Sequence, residues 1–111
     1  MIATEIPIKI ISTANARLNR FKLASMNRSH RTTAHNALAQ VAQPPELPLT
    51  IVLTRIGPKM LDTDNLAGGF KAVRDGIADW LNVDDGSDQL DWQYRQRCAG
   101  AGVYYVEVEV I

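Results

Sequence analysis

The chain has 111 residues, 46% of them apolar, with 12 Lys and Arg against 12 Asp and Glu. That length holds one small core rather than two, and that apolar share excludes wholesale disorder. The zero net charge hides a split: residues 1–60 carry eight bases and two acids (net +6), residues 61–111 four bases and ten acids (net −6), so a basic half suits a polyanion and an acidic half a metal.

Ile6, Ile8 and Ile10 alternate well enough for a first strand over Ile2–Ile11, with Pro7 marking an edge or a bulge. Residues 12–31 then lose periodicity and carry Arg17, Arg20, Lys22, Arg28 and Arg31 with no acid, which reads as a basic flexible loop. From Thr32 or Thr33 the spacing of Ala34, Leu38 and Val41 predicts a helix, ended by Pro44 and Pro45. The β-branched run Leu49–Ile56 predicts a second strand, closed by Gly57 and Pro58.

Leu66, Phe70, Val73, Ile77 and Leu81 recur at spacings of four and three, so a second helix with one buried stripe follows. Asp64 or Asn65 is its natural N-cap. Gly68, Gly69 and Gly76 each cost such a helix about 1 kcal/mol against alanine, so something approaches it closely or the cost is tolerated. Leu90, Trp92 and Tyr94 alternate with polar residues, Ala-Gly-Ala-Gly turns the chain, and Val103–Ile111 alternates again. These two strands are expected to form a hairpin with one wet face. The predicted order is strand, loop, helix, strand, helix, strand, strand: one α/β (α+β) domain, a single mixed sheet of about four strands packed by two helices.

One cysteine, Cys98, excludes an intramolecular disulfide. The first residues lack a basic region followed by a long apolar run, and no stretch approaches the roughly 18 apolar residues of a membrane helix. The chain therefore reads as soluble and intracellular. His30 and His35 have no cysteine pair or acidic partner nearby, so zinc is not expected. No Walker A, GxGxxG, GxSxG or HExxH pattern occurs.

Three constellations carry possible chemistry. Asp62-x-Asp64, with Asp84-Asp85 after the helix, offers hard oxygens of the kind Mg²⁺ accepts alongside water and substrate phosphates. Taken singly, these are also ordinary helix caps and an ordinary turn. Lys71 shares a helix face with positions 64, 68 and 75, where it can stabilise charge on a phosphate or simply pair with Asp75 in solvent. The five bases of residues 12–31 suit phosphate contacts, or they are a solvated basic loop.

In order, Asp62-x-Asp64-Asn65-Leu66, Lys71-x-x-x-Asp75-Gly76-Ile77, Val83-Asp84-Asp85 and a Trp92-x-Tyr94 strand resemble the RusA family of Holliday-junction resolvases, often phage or prophage encoded. The specific motifs lie within residues 62–94; the N-terminal half matches only in element order. The resemblance implies an Mg²⁺-dependent endodeoxyribonuclease, with Mn²⁺ as a substitute, that binds four-way DNA junctions as a homodimer in the cytoplasm of a bacterial or phage-infected cell. It carries the catalytic cluster to Asp62, Asp64 and Asp85, which would also hold the metal. The family's lysine lies four residues after the second aspartate, where this chain has Gly68; Lys71, one turn further on, keeps the spacing of four to Asp75. Arg17, Arg20, Lys22, Arg28 and Arg31 would grip the DNA backbone. Two other readings stand beside this one: a DNA-binding or assembly protein on the same fold with weak or lost cleavage, and a nuclease of branched or single-stranded DNA without junction preference.

Overall fold

The computed structural model of the chain describes residues 1–12 and 19–111. Its elements are β1 (Ile2–Ile6), α1 (Arg20–Val41), β2 (Leu49–Gly57), α2 (Thr63–Leu81), β3 (Leu90–Cys98) and β4 (Tyr105–Val110). The fold is α+β, a single mixed sheet of four strands with two helices, in the strand order β1-β4-β2-β3.

β2 is central because its apolar residues fall on both faces: Ile51, Val52, Leu53 and Ile56 are all at most 3% exposed. A strand of that kind needs a neighbour on each side. It pairs in parallel with β3 and antiparallel with β4, while β1 adds antiparallel to the far side of β4. The expected hairpin between the last two strands is therefore not formed. The segment between Cys98 and Tyr105 is long enough to step across β2, because adjacent strands lie only about 5 Å apart. A two-residue turn would have forced the two strands together.

Along β3 and β4 the expected alternation holds. Trp92, Tyr94, Val106, Val108 and Val110 face the helices and join one core cluster with Leu38, Phe70 and Ile77. On the opposite face Arg97 of β3 donates to Glu107 (2.6 Å) and to Tyr105 Oη (3.4 Å) of β4. These long side chains meet over β2 at Thr54 and Ile56, their partners in register, and both of those residues are buried.

Three boundaries differ from the expected ones. β1 stops at Ile6, because Pro7 has no amide to donate and Ile8 N–H turns back onto Ile6 O (2.8 Å). Ile8 and Ile10 stay buried as an irregular strap over the core. α1 begins at Arg20, so residues 20–31 are helix and not loop. Asn19 caps it by accepting from Lys22 N–H (2.9 Å). Its inward stripe runs through Leu23, Met26 and His30 to Ala34 and Leu38, and the polar and small members of that stripe hide the period.

The N-cap of α2 is Asp62, two or three residues before the expected Asp64 or Asn65. The other end closes at Asn82 in the left-handed region (φ 58°), with Val83 N–H bonded back to Ala78 O (3.1 Å). α1 crosses α2 at Gly76, where a Cβ would collide with the carbonyl oxygen of Arg31. At Gly69 a Cβ would stand 2.5 Å from Ile10 Cγ2, under the strap. Close approach thus explains two of the three helical glycines. Gly68 has nothing within 4 Å.

Candidate functional site

The Asp62-x-Asp64 pair stands at the head of α2. Both oxygens of Asp62 work as a cap, Oδ1 accepting from Asn65 N–H (2.9 Å) and Oδ2 from the Asn65 side-chain amide (3.0 Å). Asp64 lies in the first turn, where a negative charge favours the helix dipole. Both aspartates are exposed. The cap satisfies the helix end and leaves carboxylate lone pairs free, so structural and ligating roles are compatible at Asp62.

Asp85 sits in the turn after α2 and is brought against two cations from the helix. Lys71 Nζ donates to Asp75 Oδ1 (2.8 Å) and to Asp85 Oδ2 (3.0 Å). Arg74 Nη2 donates to the Asp85 carbonyl (3.1 Å) and lies 3.3 Å from its Oδ2. The hydrogen bond from Lys71 holds the Asp85 carboxyl below its ordinary range, with the charges of Lys71 and Arg74 adding to it. Lys71 is raised in turn, first by its bond to Asp75 and then by that to Asp85.

Arg74 escaped sequence reasoning and is the hub of this corner. Its guanidinium carbon stands 4.9 Å over the Trp92 ring, and Nη1 donates to Tyr94 Oη (2.6 Å). Trp92 Nε1–H donates to the Asp85 carbonyl (2.9 Å), and Tyr94 stacks on Phe70 with ring centroids 5.4 Å apart. The signal in the sequence was Trp92-x-Tyr94 on an inward face. Buried aromatic rings with polar tips need partners there.

Of the bases expected to hold a polyanion, Arg17 lies outside the described residues. Arg20, Lys22, Arg28 and Arg31 all stand on α1, which contains no acid. At 100° per residue Arg20, Arg28 and Arg31 fall within about 80° of one another while Lys22 lies opposite Arg31, so three of these four bases share one side of the helix. Arg28 and Arg31 border a groove of ≈ 140 Å³ against Lys71 and Asp75 of α2. Arg31 is already paired there, its Nε and Nη2 donating to Asp79 at 2.6 and 2.8 Å.

The acids therefore form two separate stations, the cap pair at the head of α2 and Asp85 folded back against Lys71 and Arg74 in its middle. Among the described residues, no group of three or more His, Cys, Asp or Glu side chains could hold a metal ion. Asp62 and Asp64 suit an ion such as Mg²⁺ that accepts one or two carboxylates and keeps its waters. Asp85, bonded to Lys71 and lying against Arg74, does not join them.

No protein-family model matches the chain, and no curated protein matches it. No helix of the described residues is long and apolar enough to cross a membrane.

Proposed function

We propose that this chain is an Mg²⁺-dependent, structure-selective endodeoxyribonuclease, resembling the RusA Holliday-junction resolvases, that hydrolyses phosphodiesters at four-way DNA junctions as a cytoplasmic homodimer. The observation that carries the proposal is the contact between Lys71 Nζ and Asp85 Oδ2 (3.0 Å). It joins two motif positions 14 residues apart, and the helix bearing Lys71 is capped by a third, Asp62.

In this reading Asp62 and Asp64 hold the metal through exposed carboxylate oxygens. Bound there, Mg²⁺ would supply Lewis-acid stabilisation of phosphate charge and a more acidic water. Lys71 offers a cation for charge developing on the phosphate, and Asp85 orients that cation. The bases of α1 contact the DNA backbone, offsetting the acidic head's repulsion of phosphates. A two-fold dimer would supply two such sites for symmetric cuts.

A second reading, a DNA-binding or assembly protein with weak or lost cleavage, is favoured by two facts. Gly68 stands where the resembled family carries its lysine, and Asp85 is occupied by Lys71 and Arg74. Cleavage of labelled four-way junction, fork and duplex DNA, with Mg²⁺ and with chelator, separates the two. Metal-dependent cutting of the junction in preference to duplex is expected. Junction binding without any cutting would move the conclusion to the second reading.

A further inference from the structure

Two polar residues interrupt the apolar inner face of the sheet, and they stand side by side. β2 presents Leu49, Ile51 and Leu53 inward and then Arg55; β3 presents Leu90, Trp92 and Tyr94 and then Gln96. In the parallel register Arg55 is paired with Gln96. Both strands give up apolar packing at the same level, near their C-terminal ends.

Arg55 is 4% exposed and makes no salt bridge among the described residues. Its charge is met by backbone carbonyls instead: Nε donates to Ile10 O (3.0 Å) and Nη1 to Lys59 O (2.6 Å). The guanidinium lies over Gly57, where a Cβ would stand 2.7 Å from Nη2. Gln96 treats Leu61 as a neighbouring strand would. Its Oε1 accepts from Leu61 N–H (2.9 Å) and its Nε2 donates to Leu61 O (2.7 Å).

Leu61 immediately precedes Asp62. Among the described residues, positions 58–61 make no backbone–backbone hydrogen bond outside helices and strands. The path into the cap of α2 is therefore held by these two side chains at Lys59 and Leu61. An apolar residue would fill either site without the cost of burying a charge or an amide, which its hydrogen bonds must offset. Polar groups kept at such positions point to what they hold.

We infer that Arg55 and Gln96 are positioning residues for Asp62, and that Arg55 also ties the strap at Ile10 to the segment that leads into Asp62. The inference rests on the nuclease reading for its functional consequence, but its structural part can be measured without it.

The experiment uses Gln96→Leu and Gln96→Glu in the full chain, with three readouts: amide hydrogen exchange, Mn²⁺ binding and junction cleavage. In Gln96→Leu the protection of the Leu61 amide is expected to fall about tenfold or more. Protection of the Asn65 amide, which reports the Asp62 cap, should fall with it. The cleavage kcat should drop about 10- to 100-fold, as for residues that orient metal ligands, with KM for DNA unchanged. Gln96→Glu distinguishes this from general loosening. Its carboxylate repels the Leu61 carbonyl, whereas the protonated acid donates one bond and accepts the other as the amide does. Protection at Leu61 and Asn65 should therefore return as the pH is lowered to about 4, where the acid protonates. Unchanged protection at Asn65 in Gln96→Leu, or a Gln96→Glu chain that behaves alike at both pH values, overturns the inference. A wild-type chain that neither cuts nor binds Mn²⁺ overturns the nuclease reading instead, and the two amides still decide the positioning.

Discussion

Lys71 reaches forward along its own helix to Asp75 and outward to Asp85 in the turn beyond, so a single ammonium joins α2 to a residue three positions past its C-terminal cap. The contact draws Asp85 to the helix, and Arg74 approaches the same carboxylate oxygen while donating to the Asp85 carbonyl. Charge pairing and chain geometry coincide at this corner.

The pairing sets a pH signature. Asp85 titrates below its ordinary range because Lys71 stabilises its charge. Its contribution to stability is complete above about pH 4 and is lost as pH falls through the lowered value. Lys71, raised by Asp75 and Asp85, contributes below its ordinary range and loses that contribution as pH rises through the raised one. Asp85→Asn is expected to lower Tm at neutral pH, with the difference closing in acid. The Lys71 side chain is 61% exposed, so the effect stays under about 1 kcal/mol. Thermal melts of both proteins across the pH range check it.

At the head of α2 the cap and the proposed ligand role of Asp62 separate by readout. Asp62→Asn keeps a capping side chain and changes stability by less than about 1 kcal/mol. Calorimetric heat with Mg²⁺ or Mn²⁺ should disappear in it. Asp64→Asn should abolish junction cleavage while leaving junction binding intact or tighter, since one repulsive charge is gone. Cleavage that persists in Asp64→Asn would return the pair to helix capping alone.

The glycines of α2 divide cleanly. Gly68→Ala meets open space and should stabilise the chain by about 1 kcal/mol. Gly76→Ala drives a methyl group into the Arg31 carbonyl and should destabilise it by about 1–3 kcal/mol. Denaturant melts of the two variants test the opposite signs. Gly68→Lys also fits the space and places an ammonium four residues after Asp64; under the nuclease reading it should raise the cleavage rate.

Arg31 and Arg28 should contribute unequally to DNA binding. Arg31 is neutralised by Asp79, whereas no salt bridge of Arg28 is found among the described residues. Arg28→Ala should reduce the salt dependence of junction binding by about one unit of slope, and Asp79→Asn should tighten binding by freeing Arg31. Titrations at several salt concentrations measure both.

The amphipathic spacing from Leu66 to Leu81 and the alternation in the last two strands were legible in the residues, because burial on one face leaves a period. So was the Lys71–Asp75 pair, because a spacing of four on a helix is a local distance. The first turns of α1 were not legible: His30 and Ala34 occupy its inward stripe, and Asn, Ser and Thr resemble loop residues. Strand order was not legible either. Composition made β2 apolar on both faces, but only packing inserted it between β3 and β4, since the segment from Ala99 to Tyr104 permits either pairing.

By itself, then, the chain determined which segments bury a face and that its neutral charge is a basic part and an acidic part. Only the tertiary structure decided that Asp85 meets Lys71 and Arg74 rather than the Asp62–Asp64 pair, and that Arg55 and Gln96 stand together beneath the segment entering Asp62. Those pairings join residues far apart in sequence, and their distances follow from strand register and helix crossing, which no local spacing encodes.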